Sequence, residues 1–333
     1  MDTRREAKTV FFGAVIRLCL SAMLAVVLGV MPALGQPCPR DRAMWIYQTP
    51  YDVVRDLDAR TEALTFADGH AIKDFFLYVS FTCQGDVCSL EEGYQAQLRS
   101  FLRDAHDSTS HRAFRVHVLY DDARLALETF HNRVRSIAQT TLVFNQGGAA
   151  GEQFDGIHLD VEPHTLITQP HTEYRDDPIG TITQFLNMNA VALEELQGQD
   201  LGYGVDVVDF WHPYYSCRDW GDPRCFVDRP ELWMVYRDAE NYPTMHLLNL
   251  VKNVTIMSYH DADQVIRKTR YPMAYAAMPD VGAQVYVGLK ADLFASRAQL
   301  EDAICAIEDE LARFDSLLGY SYFKYSSYHD LPD

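Results

Sequence analysis

Phe154-Asp155-Gly156-Ile157-His158-Leu159-Asp160-Val161-Glu162-Pro163-His164 interleaves apolar and ionisable side chains. It begins apolar, alternates and ends at a proline. A strand has period two, so His158, Asp160 and Glu162, with His164 beyond them, project from one face. Phe154, Ile157, Leu159 and Val161 are bulky or β-branched, which suits a buried strand. Ionisable side chains on one face of such a strand are costly unless that face lines a polar cavity. Pro163 cannot donate to a sheet ladder, so the regular strand is expected to stop at Glu162. Asp160 and Glu162 then lie at the strand's C-terminal end, where α/β enzymes carry their chemistry. The same pattern also fits a barrel strand whose polar interior is a satisfied charge network.

Outward from this stretch a unit repeats: a short apolar strand, a polar loop, an amphipathic helix. Strands are expected at 43–47, 74–80, 114–120, 201–211, 253–259, 283–290 and 317–324, besides the one already quoted. Helical patterns fall at 53–64, 90–105, 123–141, 181–196, 244–251, 263–277 and 297–314. In the last of these, Leu300, Ile304, Ile307 and Leu311 recur at helical spacing. Eight strands alternating with helices in the 298 residues from 36 to 333 have the count and length of a (β/α)₈ TIM barrel of a single domain. No Gly-x-Gly-x-x-Gly turn follows the first strand, which argues against a dinucleotide-binding sheet. No Gly-x-Ser-x-Gly elbow marks a serine hydrolase.

Residues 1–35 are not part of that core. Arg4, Arg5, Lys8 and Arg17 precede an apolar run from Leu18 to Leu34, and Ala33-Leu34-Gly35 supply small residues at its exit. This reads as a secretory signal peptide cleaved near Gly35, with an uncleaved anchor as the rival. After cleavage no run is long enough for stable membrane insertion, so the expected location is secreted or cell envelope. Losing four basic and two acidic residues would take the net charge from −18 to −20. A chain so acidic disfavours nucleic acid and anionic membranes as partners. In an oxidising compartment Cys83/Cys88 and Cys217/Cys225, each in a turn-rich loop, are expected to form local disulfides. Cys38 and Cys305 either pair or stay free, and Cys305 sits in an apolar helical stripe where a buried thiol fits equally.

Asp155-Gly156-Ile157-His158-Leu159-Asp160-Val161-Glu162 resembles the fourth-strand signature of family 18 glycoside hydrolases, Asp-Gly-x-Asp-x-Asp-x-Glu. Val254-Thr255-Ile256-Met257-Ser258-Tyr259 resembles that family's sixth strand, which ends Met-x-Tyr-Asp. The resemblance implies a chitinase-like barrel that acts on a polysaccharide or glycoconjugate and needs no cofactor. It implies that Glu162 is the general acid, that Asp160 is its partner in orienting the reacting group, and that Tyr259 contacts that group. The chain departs from the pattern at His158, where the family has Asp, and at His260, with Asp261 one place later. No Trp stands near the end of the eighth strand, where Tyr322, Phe323 and Tyr325 occur instead.

The residue chemistry points the same way. A Glu beside another carboxylate in a barrel mouth has its proton affinity raised by repulsion and desolvation, as a general acid at neutral pH requires. Further substrate contacts are expected from His158, Tyr120, Asp206, Trp211, His260 and Lys290. Asp206 and Lys290 are equally readable as interior or mouth-neutralising charges. Trp211, Tyr214 and Tyr215 are candidate sugar platforms in the long fifth loop, whereas Trp45 is expected in the core. Two other functions fit: a non-catalytic, lectin-like carbohydrate-binding barrel, and a metal-dependent hydrolase or phosphodiesterase. The latter would need Asp121, Asp122 or Asp206 to supplement the fourth strand. Neighbouring i, i+2 positions cannot all converge on one ion, so no metal is assigned.

Overall fold

Each apolar run is short, rich in β-formers and closed by a polar loop, and each forms a strand near its predicted place. The computed structural model describes residue 38, residues 40–219 and residues 222–333. The expected signal segment and Trp220 lie outside the described residues. The barrel strands are β1 (Asp41–Ile46), β2 (Ile72–Tyr78), β3 (Arg115–Tyr120), β4 (Gly156–Leu159), β5 (Gly202–Val208), β6 (Asn253–Met257), β7 (Gln284–Lys290) and β8 (Leu317–Phe323). All neighbouring pairs are parallel, and β8 pairs with β1, so the sheet closes into a (β/α)₈ barrel. Residues 40–333 cluster as one compact unit.

The main helices are α1 (Leu57–Gly69), α2 (Glu92–His106), α3 (His131–Gln146), α4 (Pro178–Glu195), α5 (Pro243–Leu250), α6 (Ala262–Ala276), α7 (Arg297–Leu311) and α8 (Tyr325–His329). Their starts follow the caps. Asp56 accepts from the Asp58 and Ala59 amides, so α1 begins at Leu57 rather than near Val53. Asp177 caps α4 with Pro178 in its first turn, and Ser296 caps α7. The helix expected from Ala123 opens instead as two 3₁₀ turns, Ala123–Ala126 and Glu128–Phe130, before α3. Among the described residues no helix is long and apolar enough to cross a membrane.

The deciding strand is shorter than expected. Its ladder to β3 runs from His117↔Gly156 to Tyr120↔Leu159, and the Asp160 amide makes a last bond to the Tyr120 carbonyl at 3.0 Å. Pro163 then opens a 3₁₀ turn (Pro163–Thr165), and Glu162 has already left the sheet. Both local disulfides are present, Cys83–Cys88 across a small hairpin and Cys217–Cys225 in the loop after β5. Cys305 is also disulfide-bonded, so it is not a free thiol.

Inside the barrel, Ala43, Trp45, Phe76, Leu119 and Tyr286 form a buried cluster. The His158 ring is stacked on Phe76, centroids 3.8 Å apart, and lies across Gly204 on β5. A Cβ at Gly204 would stand 2.6 Å from His158 Nδ1 and 3.3 Å from the Asn253 carbonyl. Only glycine leaves room for the imidazole there. We expect Gly204→Ala to cost about 1–3 kcal/mol through this overpacking. Gly151→Ala, where a Cβ meets nothing within 4 Å, should change stability by less than about 0.5 kcal/mol. Denaturant titration of both variants checks the contrast, and equal effects would contradict it.

Candidate active site

The C-terminal ends of the strands are where a parallel barrel leaves its loops free to carry chemistry. A pocket of about 350 Å³ opens there, lined by Tyr47, Asp121, Asp160, Glu162, Met257, Tyr259, Phe323 and Lys324, with Ala123 and Thr165 completing the wall. Tyr47 and Asp121 directly follow β1 and β3, Asp160 and Glu162 follow β4, and Phe323 and Lys324 sit at the end of β8. Tyr259 lies two residues past β6.

Asp160 is 8% exposed. Its Oδ2 accepts from the Tyr47 hydroxyl at 3.1 Å, and its Oδ1 is buried with no partner. Burial, then the charges of Asp206 and Glu162, raise its carboxyl well above the ordinary aspartate range. Glu162 is half-buried, and burial together with Asp206 and Asp121 raises its proton affinity. Asp121 is pushed up to about 6, by burial first and by Asp122 in addition. The Tyr259 hydroxyl is held protonated by burial and by Asp160, Asp206 and Glu162.

One layer deeper, on β5, Asp206 is 1% exposed and takes bonds at both oxygens. Trp45 Nε1–H donates to Oδ2 at 3.0 Å, and His158 Nε2 lies 2.7 Å from Oδ1. Burial lowers the His158 pKa well below its usual value, with the nearby His117 adding to the effect. Burial thus disfavours a charge on the imidazole. Burial raises Asp206 in turn, while the Trp45 bond favours its charged form.

Of the residues singled out in the sequence, Glu162, Asp160 and Tyr259 share the pocket, and His158 and Asp206 form a bonded pair in the layer below. Four do not reach it. Trp211, expected as an exposed platform, is 2% exposed; its Nε1–H bonds to the Tyr174 hydroxyl at 3.0 Å and its ring packs on Phe185 of α4. Tyr120 stacks parallel to Tyr78, centroids 6.3 Å apart, outside the lining. His260 turns away to Asp209, 3.1 Å from Oδ2, and Asp261 caps α6. Lys290 lies 3.7 Å from Asp292 and leaves the pocket's cationic position to Lys324. Among the described residues no three His, Cys, Asp or Glu side chains converge in a way that would hold a metal ion.

Comparison with protein-family models finds no match, and neither does comparison with curated protein sequences. Solved structures do match. The spore cortex-lytic enzyme SleL of Bacillus cereus is 10% identical with a TM-score of 0.52, over 90% of this chain and 72% of that one. A β-glucosidase from Thermotoga maritima is 10% identical with a TM-score of 0.52, over 82% of this chain and 77% of that one. A chitinase from Chromobacterium violaceum is 12% identical with a TM-score of 0.49, over 87% and 98%. The chain shares its (β/α)₈ barrel fold with the SleL enzyme and the β-glucosidase.

The pocket also holds Tyr47, Phe323 and Lys324, which the sequence leaves without a site role, and Asp121, which the sequence offers only as a supplementary metal ligand. A signal existed for two of them. Period two carries the inward face from Trp45 to Tyr47 and from Leu119 to Asp121, one residue past each strand. Phe323 closes the pocket against Tyr47, Tyr259 and Trp45, at centroid distances of 5.9, 5.6 and 6.0 Å. Of the three eighth-strand aromatics, it is the one that lines the pocket; Tyr322 packs outward against Arg42 and Tyr328.

The raised Asp160 carboxyl makes a stability prediction. A carboxyl whose folded pKa exceeds its unfolded value of about 3.9 holds more protons when folded, so its contribution falls as pH rises through its folded range. We expect Asp160→Asn to gain Tm relative to wild type progressively as pH rises above about 4. Scanning calorimetry across that range tests this, and a difference that stays constant or shrinks would contradict it.

Proposed function

We propose that this chain is a secreted or cell-envelope glycoside hydrolase in which Glu162 is the general acid and Asp160 its partner. The observation that carries the reading is the meeting of these two carboxyls in one barrel-mouth pocket, where burial and neighbouring acids favour the protonated form of each. A glycosidic oxygen seated against Glu162 receives its proton as the bond to the anomeric carbon breaks. Water adds to that carbon, and its proton returns to the carboxyl cluster. Asp160 Oδ1 is buried without a hydrogen-bond partner, and Tyr259 offers a hydroxyl that stays protonated throughout. Phe323 supplies an apolar ring at the site's wall, suited to the face of a sugar.

The structural neighbours support a carbohydrate as the ligand, since a cortex-lytic enzyme and a β-glucosidase share the barrel. The disulfides support an oxidising location.

Turnover on labelled oligosaccharides, acetylated and not, is the test. Glu162→Gln should reduce turnover by roughly 10²–10⁴-fold with sugar binding retained, and a chelator should leave turnover unchanged. A wild type that binds sugars and never cleaves them would overturn catalysis in favour of a lectin-like barrel. Loss of turnover on chelation would overturn the two-carboxyl scheme.

A further inference from the structure

The chain neutralises many of its carboxylates with arginine: Asp68 with Arg112, Asp74 with Arg115, Asp122 with Arg124, Glu301 with Arg42. The pocket is treated differently. Asp121, Asp160 and Glu162 line it, and Asp206 adds a fourth acid from below. Among the described residues none of these four has an ion pair with lysine or arginine. His164 comes only to 4.0 Å of Glu162 Oε1, and burial lowers its pKa. Lys324 lines the wall without an ion pair to any of them. The Asp160 side chain is more than nine-tenths buried, yet its Oδ1 is left without a partner at the pocket.

Protonating a glycosidic oxygen with one carboxyl and steadying the reacting group with another accounts for Glu162 and Asp160. Asp121 and Asp206 are surplus to that scheme. Four acids around a small, partly desolvated space repel one another and any anion, and a cation relieves that repulsion. No metal-ligating set is present among the described residues. An organic cation on the ligand itself is what the lining fits.

We propose that the pocket selects a glycan unit bearing a free ammonium group, held by the carboxylates of Asp121 and Asp160. This rests on the reading of the pocket as a sugar site. The ammonium takes the place of protons on these carboxyls, so binding strengthens as they ionise and weakens again when the amine loses its own proton. The titratable groups of the lining are Tyr47 after β1, Asp121 after β3, Asp160 and Glu162 after β4, Tyr259 after β6 and Lys324 after β8, with His164 after β4 and Asp206 on β5 outside it. Asp122 is occupied by Arg124, 2.7 Å away.

Calorimetric titration of the wild-type protein with β-1,4-linked trimers of glucosamine, N-acetylglucosamine and glucose tests the assignment. At about pH 6.5 the glucosamine trimer should bind roughly tenfold tighter than the glucose trimer, the worth of one well-placed charge-assisted contact. The gap should close at about pH 4.5, where the carboxyls are protonated. Asp121→Asn should bring it to within about threefold. Glucose or N-acetylglucosamine trimers binding as tightly as the amine would overturn the proposal and leave the sugar site standing, as would a gap unchanged in Asp121→Asn. Binding of no trimer would overturn the sugar site and the proposal together. Selective amine binding without turnover would support the proposal and refute hydrolysis alone.

Discussion

The bond between His158 and Asp206 is the constraint on which the rest of the site depends. It joins two strands through the barrel interior at 2.7 Å, with both side chains almost fully buried. A carboxyl in that position is expensive unless its oxygens are bonded, and Trp45 and His158 between them satisfy both. Burial disfavours a charge on the imidazole, and a short hydrogen bond holds the pair. Its acidic end lies under the pocket, and the field of Asp206 reaches Asp160, Glu162, Tyr47 and Tyr259.

The surrounding barrel exists in the form needed to hold that pair. Phe76 stacks on the imidazole, Gly204 gives it room, and Trp45 is fixed in the core so that its indole N–H reaches Asp206. At the opposite end of the barrel interior, Asp74 is bonded twice by Arg115, once by Tyr286 and once by His117. That lower network is neutralised by its own arginine, whereas the upper one is not. The interior is thus a balanced ion cluster at one end and an unbalanced acidic one at the mouth, which is the asymmetry expected if only the mouth meets a ligand.

Much of this was legible in the sequence because it followed from strand periodicity. Period two put His158 and Asp160 on one inward face, and the alternation of strands and helices fixed the closed barrel. What periodicity cannot give is the path of the chain past a strand's last ladder bond. Glu162 reaches the pocket from a turn opened by Pro163, not from the strand, and Trp211 is covered by Tyr174 from a different loop. Lys290 and Lys324 are alike in sequence, each at or just past a strand end. Only the fold shows that the first lies near Asp292 and the second lines the site. The aromatic at the end of β8 was visible as a missing tryptophan, and Phe323 proves to be the ring that stands in the wall.

Burial and the buried Asp206 below together keep a proton on the carboxyls above. Carboxyl ¹³C NMR titration of Glu162, in wild type and in Asp206→Asn, tests it without any substrate. The wild-type midpoint should lie above the ordinary glutamate value of about 4.3 and shift back toward it when Asp206 is replaced. A wild-type midpoint at the ordinary value, or one that Asp206→Asn leaves in place, would contradict it.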